Sequence, residues 1–182
     1  MSAMLYAVTI FSSAFLLFLV QPLVSKHILP WFGGSASVWA TCLVFFQSVL
    51  LLGYAYADRV TRLLRPRQQV ALHALLLLAS VVALPVLAGA QWKPAGSEDP
   101  GLHILWLLVA TVGLPYLMLS ATGPLLQAWF SRAHAGVSPY RLYALSNVGS
   151  LLALLGYPFL VEPNLTRQQQ ATAWSWGLVG FV

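Results

Sequence analysis

Charge is what this sequence has least of. Lys, Arg, Asp and Glu make up 7% of its 182 residues, against 59% with apolar side chains. An ordinary soluble domain carries roughly 25% charge, because it needs polar side chains to cover its core. The deficit excludes that class and places the chain in lipid. Cysteine is nearly absent too: Cys42 stands alone, which rules out an intramolecular disulfide or a thiolate metal cluster. Within Thr41-Cys42-Leu43-Val44-Phe45-Phe46 it reads as a small buried hydrophobe. No cation precedes the first apolar run, which ends in Gln21-Pro22 instead of a small-residue cleavage site, so a cleaved signal peptide is not expected. No G-x-G-x-x-G motif occurs. His27, His73, His103 and His134 are scattered without metal-ligand spacing, and no Ser/His/Asp or Cys/His constellation assembles. Neither catalysis nor a bound cofactor or metal is expected within these residues.

Hydrophobic runs take the place of all this. A spanning helix needs about 20 mostly apolar residues, and five runs reach that length, at about Met4–Val24, Ser37–Ala57, Val70–Ala90, Leu102–Phe130 and Tyr140–Val161. A sixth starts near Ala171 and stops at Val182. The links are short, and the one from Gln91 to Gly101 is marked as a loop by Pro94, Gly96, Pro100 and Gly101. Membrane β-barrel strands would be about ten residues long and alternating; these runs are longer and continuously apolar. The expected fold is an all-α, polytopic transmembrane helix bundle of five complete spans plus the start of a sixth. It forms one domain over residues 1–182, and the early stop of the sixth run points to a piece of a longer protein.

Cation placement sets the expected orientation. Arg59, Arg62, Arg65, Arg67, Arg132 and Arg141 lie in the links after the second and fourth runs, against Lys26, Lys93 and Arg167 in the other links. The Arg-rich side is therefore expected to be cytoplasmic, with the N-terminus on the same side. Such a cluster between apolar runs is a topology signal, and nucleic acid is not an expected partner. Trp31, Trp39, Trp92 and Trp129 fall near the expected interfaces, where indole rings are favoured.

Four stretches could carry function. Gln21-Pro22 to Lys26 should kink or end the first helix, freeing carbonyls for a solute; the bland reading is a helix end with Lys26 snorkelling to the headgroups. Asp58, Arg59 and Arg62 could form charge-assisted bonds to neighbouring helix ends, or simply mark topology. In the fourth run Pro115 and Pro124, with Ser120, Thr122 and Gln127, make either a broken helix along a transport path or a kinked structural one. After Pro139 and Arg141, the fifth run sets Ser146, Gly149, Ala153 and Gly156 on one face, a small-residue seam for close helix packing. Asn147 adjoins it, either bonding across the seam or lining a pore. If the chain moves a solute, Gln21, Lys26, Gln127 and Asn147 should share a cavity.

Three stretches together resemble one family: QPLVSKHILPWFGGSASVWATCLVFFQSVLLLGYAYAD (21–58), GLPYLMLSATGPLLQAWFSR (113–132) and PYRLYALSNVGSLLALLGYPFLVEP (139–163). They are similar to the membrane region of bacterial fused major-facilitator/spermidine-synthase-like proteins. Gln21, Pro22, Lys26, Gly33, Gly34, Trp39, Pro124, Asn147, Gly149 and Glu162 carry the pattern. The resemblance implies a bacterial inner-membrane domain followed by a soluble aminopropyltransferase-like domain on the same polypeptide. That soluble part would be a Rossmann-like fold binding decarboxylated S-adenosylmethionine, and it is not in this sequence. The membrane part would anchor it and pass a small, polyamine-like solute. The 58–65 stretch also resembles the major-facilitator loop in which an acid and basic residues latch a cytoplasmic gate, although the usual glycine is missing. The alternatives are a stand-alone half-size transporter of major-facilitator type or an intramembrane enzyme. The last is disfavoured because the helix centres hold almost no titratable groups.

Overall fold

A computed structural model describes residues 3–94, 96, 99–134 and 136–182, and the described chain is helical with no strand. Helix α1 (Ala3–Ile28) passes into a 3-10 turn (Leu29–Phe32), followed by α2 (Ala36–Leu63) and α3 (Pro66–Val82). Helix α4 (Pro100–Leu108) joins α5 (Leu114–Ala133) through a π-turn, Val109–Gly113. Helix α6 (Tyr140–Gly156) joins α7 (Glu162–Asn164) through a second, Tyr157–Val161, and α8 is Arg167–Phe181. Four continuous helical segments are long and apolar enough to cross a membrane: Ala3–Phe32, Ala36–Leu63, Pro100–Ala133 and Tyr140–Asn164. At about 1.5 Å per residue even the shortest, of 25 residues, outreaches a hydrocarbon core of roughly 30 Å.

Several ends differ from the sequence expectation. The first helix does not end at Pro22 but continues to Ile28; a proline inside a helix removes one backbone hydrogen bond, and packing against neighbours compensates. The third helix is shifted, from the expected 70–90 to Pro66–Val82. Pro66 suits a first helical turn, and the Gln68 side chain accepts a bond from the Arg65 backbone N–H at 2.9 Å. At the other end Pro85 restrains Leu84 from helical geometry. The chain then runs on without helix to Gly89, burying Val86 and Ala88, and makes a short 3-10 turn at Ala90–Trp92. Pro115 and Pro158 each sit beside or within a π-turn, a wider turn that absorbs a missing donor, so Glu162 continues the helix that it was expected to end. The last helix begins at Arg167, four residues before the expected start, because Thr166 Oγ1 accepts from the Gln169 N–H and Gln169 Oε1 accepts from the Thr166 N–H.

Side-chain pairs give the directions. Tyr6 meets Phe130 and Gln21 meets Tyr116, so α1 and α5 are antiparallel. Gly149 sits on Phe11 while Glu162 reaches Lys26, so α6 is parallel to α1. Phe46 packs on Tyr116 and Gly53 on Ser120, so α2 is parallel to α5. The N-terminal end of α1, the α2–α3 turn and the α5–α6 link therefore share one end of the bundle, the Arg-rich end. The reversal after α1 at the other end uses Gly33 and Gly34, whose φ of +81° and +66° other residues rarely adopt.

The two halves of the bundle are built alike and run in opposite directions. At the start of α3, Gln69 Nε2 donates to the Leu64 carbonyl at 2.7 Å; at the start of α8, Gln170 Nε2 donates to the Leu165 carbonyl at 2.8 Å. One turn further on, His73 bonds Thr122 of α5, and Trp174 bonds the Leu16 carbonyl of α1. A glycine allows close approach in each parallel pair: Gly53 of α2 against α5, and Gly149 of α6 against α1. The main core lies at the α1–α2–α4–α8 crossing, around Val20, Val24, Phe46, Leu107 and Trp174.

Candidate functional site

Between α1, α2, α5 and α6 lies a cavity of about 420 Å³ that is open on one side. Ser13 of α1, Tyr54 of α2, Ser120 and Gln127 of α5, and Tyr143, Ser146, Asn147 and Ser150 of α6 supply its polar wall. Leu17, Phe18 and Leu119 complete it with apolar surface. Counted at about 1.5 Å per residue, Ser13 lies about 15 Å along α1 from Ala3 and Gln127 about 9 Å from the end of α5. The cavity thus runs from near the Arg-rich end to mid-depth, where polar groups are costly in lipid unless they line a wet cavity or find partners.

Its hydroxyls and amides fall into two kinds. Ser13, Ser120 and Ser150 donate to the Ile10, Leu117 and Ser146 carbonyls of their own helices at 3.0, 2.7 and 2.9 Å, leaving lone pairs to face inward. The Gln127, Ser146, Asn147, Tyr54 and Tyr143 side chains make no hydrogen bond among the described residues, and Tyr54, Tyr143 and Asn147 are exposed at the open side, so their donors and acceptors are free to meet a solute. Tyr54, Tyr143, Ser13 and Ser150 were not singled out in the sequence. The signal for them was present as hydroxyls inside runs otherwise too apolar to hold any without purpose.

The four residues expected to share a cavity do not all do so. Gln127 and Asn147 do. Gln21 is 8% exposed and donates to the Tyr116 hydroxyl at 3.0 Å inside the α1–α5 contact. Lys26 lies at the opposite end, with Nζ 2.5 Å from both Glu162 carboxylate oxygens and 5.6 Å from the Tyr157 ring centre. Both members of that ion pair are more than a third exposed, at 38% and 39%. Asp58 accepts from Arg62 Nε at 2.7 Å on its own helix, one turn apart, so the pair does not reach a neighbouring helix end. Arg59 and Arg141 are exposed. The expected small-residue seam divides: Gly149 and Ala153 are buried on α1, Ser146 faces the cavity, and a side chain added at Gly156 would meet nothing. Of the expected kink positions, Pro115 follows a π-turn, whereas Pro22 and Pro124 lie inside helices that continue past them.

At the Arg-rich end Gln69, fully buried, also accepts from Trp129 Nε1 at 2.8 Å and from Arg132 at 3.4 Å. Its place in a polar link gave no hint of that knot. Among the described residues no three of His, Cys, Asp or Glu come together as metal ligands. The chain matches no protein-family model, no curated protein and no solved structure.

Proposed function

We propose that this chain is a membrane domain that passes a small polar solute, entered from the cytoplasm at the Arg-rich end. The observation that carries the reading is the polar cavity: eight hydroxyl, amide and phenol side chains converge from four helices at membrane depth. Its size falls in the range of small-molecule sites, roughly 300–1,000 Å³. Two units built alike in opposite directions are also a recurring construction of secondary transporters, with the solute site near mid-membrane where the units meet. The Lys26–Glu162 pair closes the α1–α6 contact at the far end. The bundle crosses the bacterial inner membrane with its N-terminus inside, α3 crossing beside the four longer helices and α8 starting a sixth span. The family resemblance adds a second role, holding a soluble aminopropyltransferase-like domain at the membrane, for which the tightly packed Gly149–Phe11 seam offers a rigid scaffold.

Thiol labelling in intact membranes tests the cavity. With Cys42 changed to Ser, Asn147→Cys and Gln127→Cys are expected to react with a membrane-impermeant maleimide applied from the cytoplasmic side. Leu155→Cys and Phe159→Cys, exposed on the same segment and not lining the cavity, should resist it. Asn147→Cys as inert as Phe159→Cys would mean a dry or lipid-filled space and end the transport reading.

A further inference from the structure

We infer that the solute is uncharged: a hydrogen-bonding molecule of the size and kind of a monosaccharide or polyol, and not a polyamine. This rests on the cavity reading above and narrows it. No Asp, Glu, Lys or Arg is among the residues lining the cavity. A charged group entering the membrane-embedded part of the bundle would lose its water without meeting a counter-charge, at a cost of several kcal/mol per ion. A polycation would incur that cost at each ammonium.

The approach to the cavity reinforces the exclusion. Arg141 precedes Tyr143 by two residues, Arg132 follows Gln127 by five, and Arg59 follows Tyr54 by five. The only acid in this region among the described residues, Asp58, is already paired with Arg62. The end of the bundle at which the cavity lies therefore carries an excess of positive charge, a field that disfavours cations there.

What the wall does offer suits hydroxyl groups. The serine lone pairs accept, the Asn147 and Gln127 amides donate and accept, and the Tyr54 and Tyr143 phenols do both. Apolar surface from Leu17, Phe18 and Leu119 lies beside them, matching a solute with C–H faces and O–H edges. Its volume of about 420 Å³ lies at the lower end of the roughly 300–1,000 Å³ of small-molecule sites, a scale that suits one monosaccharide rather than a larger solute.

Equilibrium dialysis of the full chain in nanodiscs, with radiolabelled glucose, mannitol, spermidine and phosphate, tests this. Saturable binding is expected for glucose or mannitol and for neither ion. Asn147→Leu should weaken it about tenfold, the loss of roughly one hydrogen bond left unmade in a binding site; Phe159→Leu, on the outer face, should not. Spermidine or phosphate binding that Asn147→Leu abolishes would overturn the inference and leave the cavity reading standing. Binding of none of the four, together with inert thiols at 147 and 127, would remove both.

Discussion

Replacing Gly149 by alanine pits two known effects against each other. A Cβ built there falls 2.8 Å from the backbone oxygen of Phe11, 3.4 Å from the Phe11 ring and 3.5 Å from the Ala14 methyl. A carbon and a carbonyl oxygen rest no closer than about 3.3 Å, so α1 and α6 must part by roughly half an ångström. The obstacle is backbone and cannot rotate away. Such overpacking costs about 1–3 kcal/mol, whereas alanine returns about 0.5–1 kcal/mol of helix stability. A net loss of about 1–2 kcal/mol is expected. Gly156, seven residues on in the same segment, is the internal control because nothing lies within 4 Å of its added Cβ. Gly156→Ala should be stabilising by about 0.5–1 kcal/mol. Helix propensity is common to both variants, so their difference isolates the contact with α1. SDS titration of the purified chain in mixed micelles reads both free energies. Equal shifts in the same direction would refute the close α1–α6 approach.

Three further outcomes follow from buried or paired polar groups, each measured by the same titration. Gln21→Leu strands the buried Tyr116 hydroxyl and should cost about 1–3 kcal/mol; adding Tyr116→Phe should recover most of it, and no recovery would mean that the bond is not formed. Gln69→Ala should cost about 2 kcal/mol and Gln170→Ala about 1, because Gln69 also holds Trp129 while Gln170 is tied only to Leu165; the reverse order would contradict that assignment. Lys26→Ala and Glu162→Ala should each cost under about 1 kcal/mol, as expected for a partly exposed ion pair, and the charge-swapped double variant should match the parent; a loss of several kcal/mol would place the pair in a dry interior.

The all-helical fold and its helices long and apolar enough to cross a membrane were legible because both are written in composition. Segment ends were not. Pro22 and Pro124 read as kinks or breaks, and the helices continue past both, since a helix surrounded by other helices tolerates one lost hydrogen bond. Pro85 did break its helix, and its surroundings of Ala83, Leu84, Val86 and Leu87 concealed it inside an apolar run. Half of the expected cavity group came together. Gln127 and Asn147 protrude from helices that face each other, whereas Gln21 found a nearer partner in Tyr116 and Lys26 lies about 12 Å beyond Phe18 along α1, paired with Glu162. The duplicated turn left only a short echo in the sequence, Gln68-Gln69 and Gln169-Gln170. Abundant Leu and Ala hide such short echoes, and only the matching hydrogen bonds give them weight.

An odd number of helices, repeated in tandem, comes out upside down, since each new copy starts from the side where the last one finished. The turn locked by Gln69 and the turn locked by Gln170 are thus one structural part mounted facing both ways. What tells them apart is charge: Arg59, Arg62, Arg65 and Arg67 surround the first, whereas the second has Arg167 with Glu162 nearby. In the membrane reading proposed above, the residues that shape the bundle are indifferent to which way up it sits, and a handful of surface arginines would decide it. Moving those arginines from one turn to the other should invert the protein in the bilayer while leaving its core packing intact.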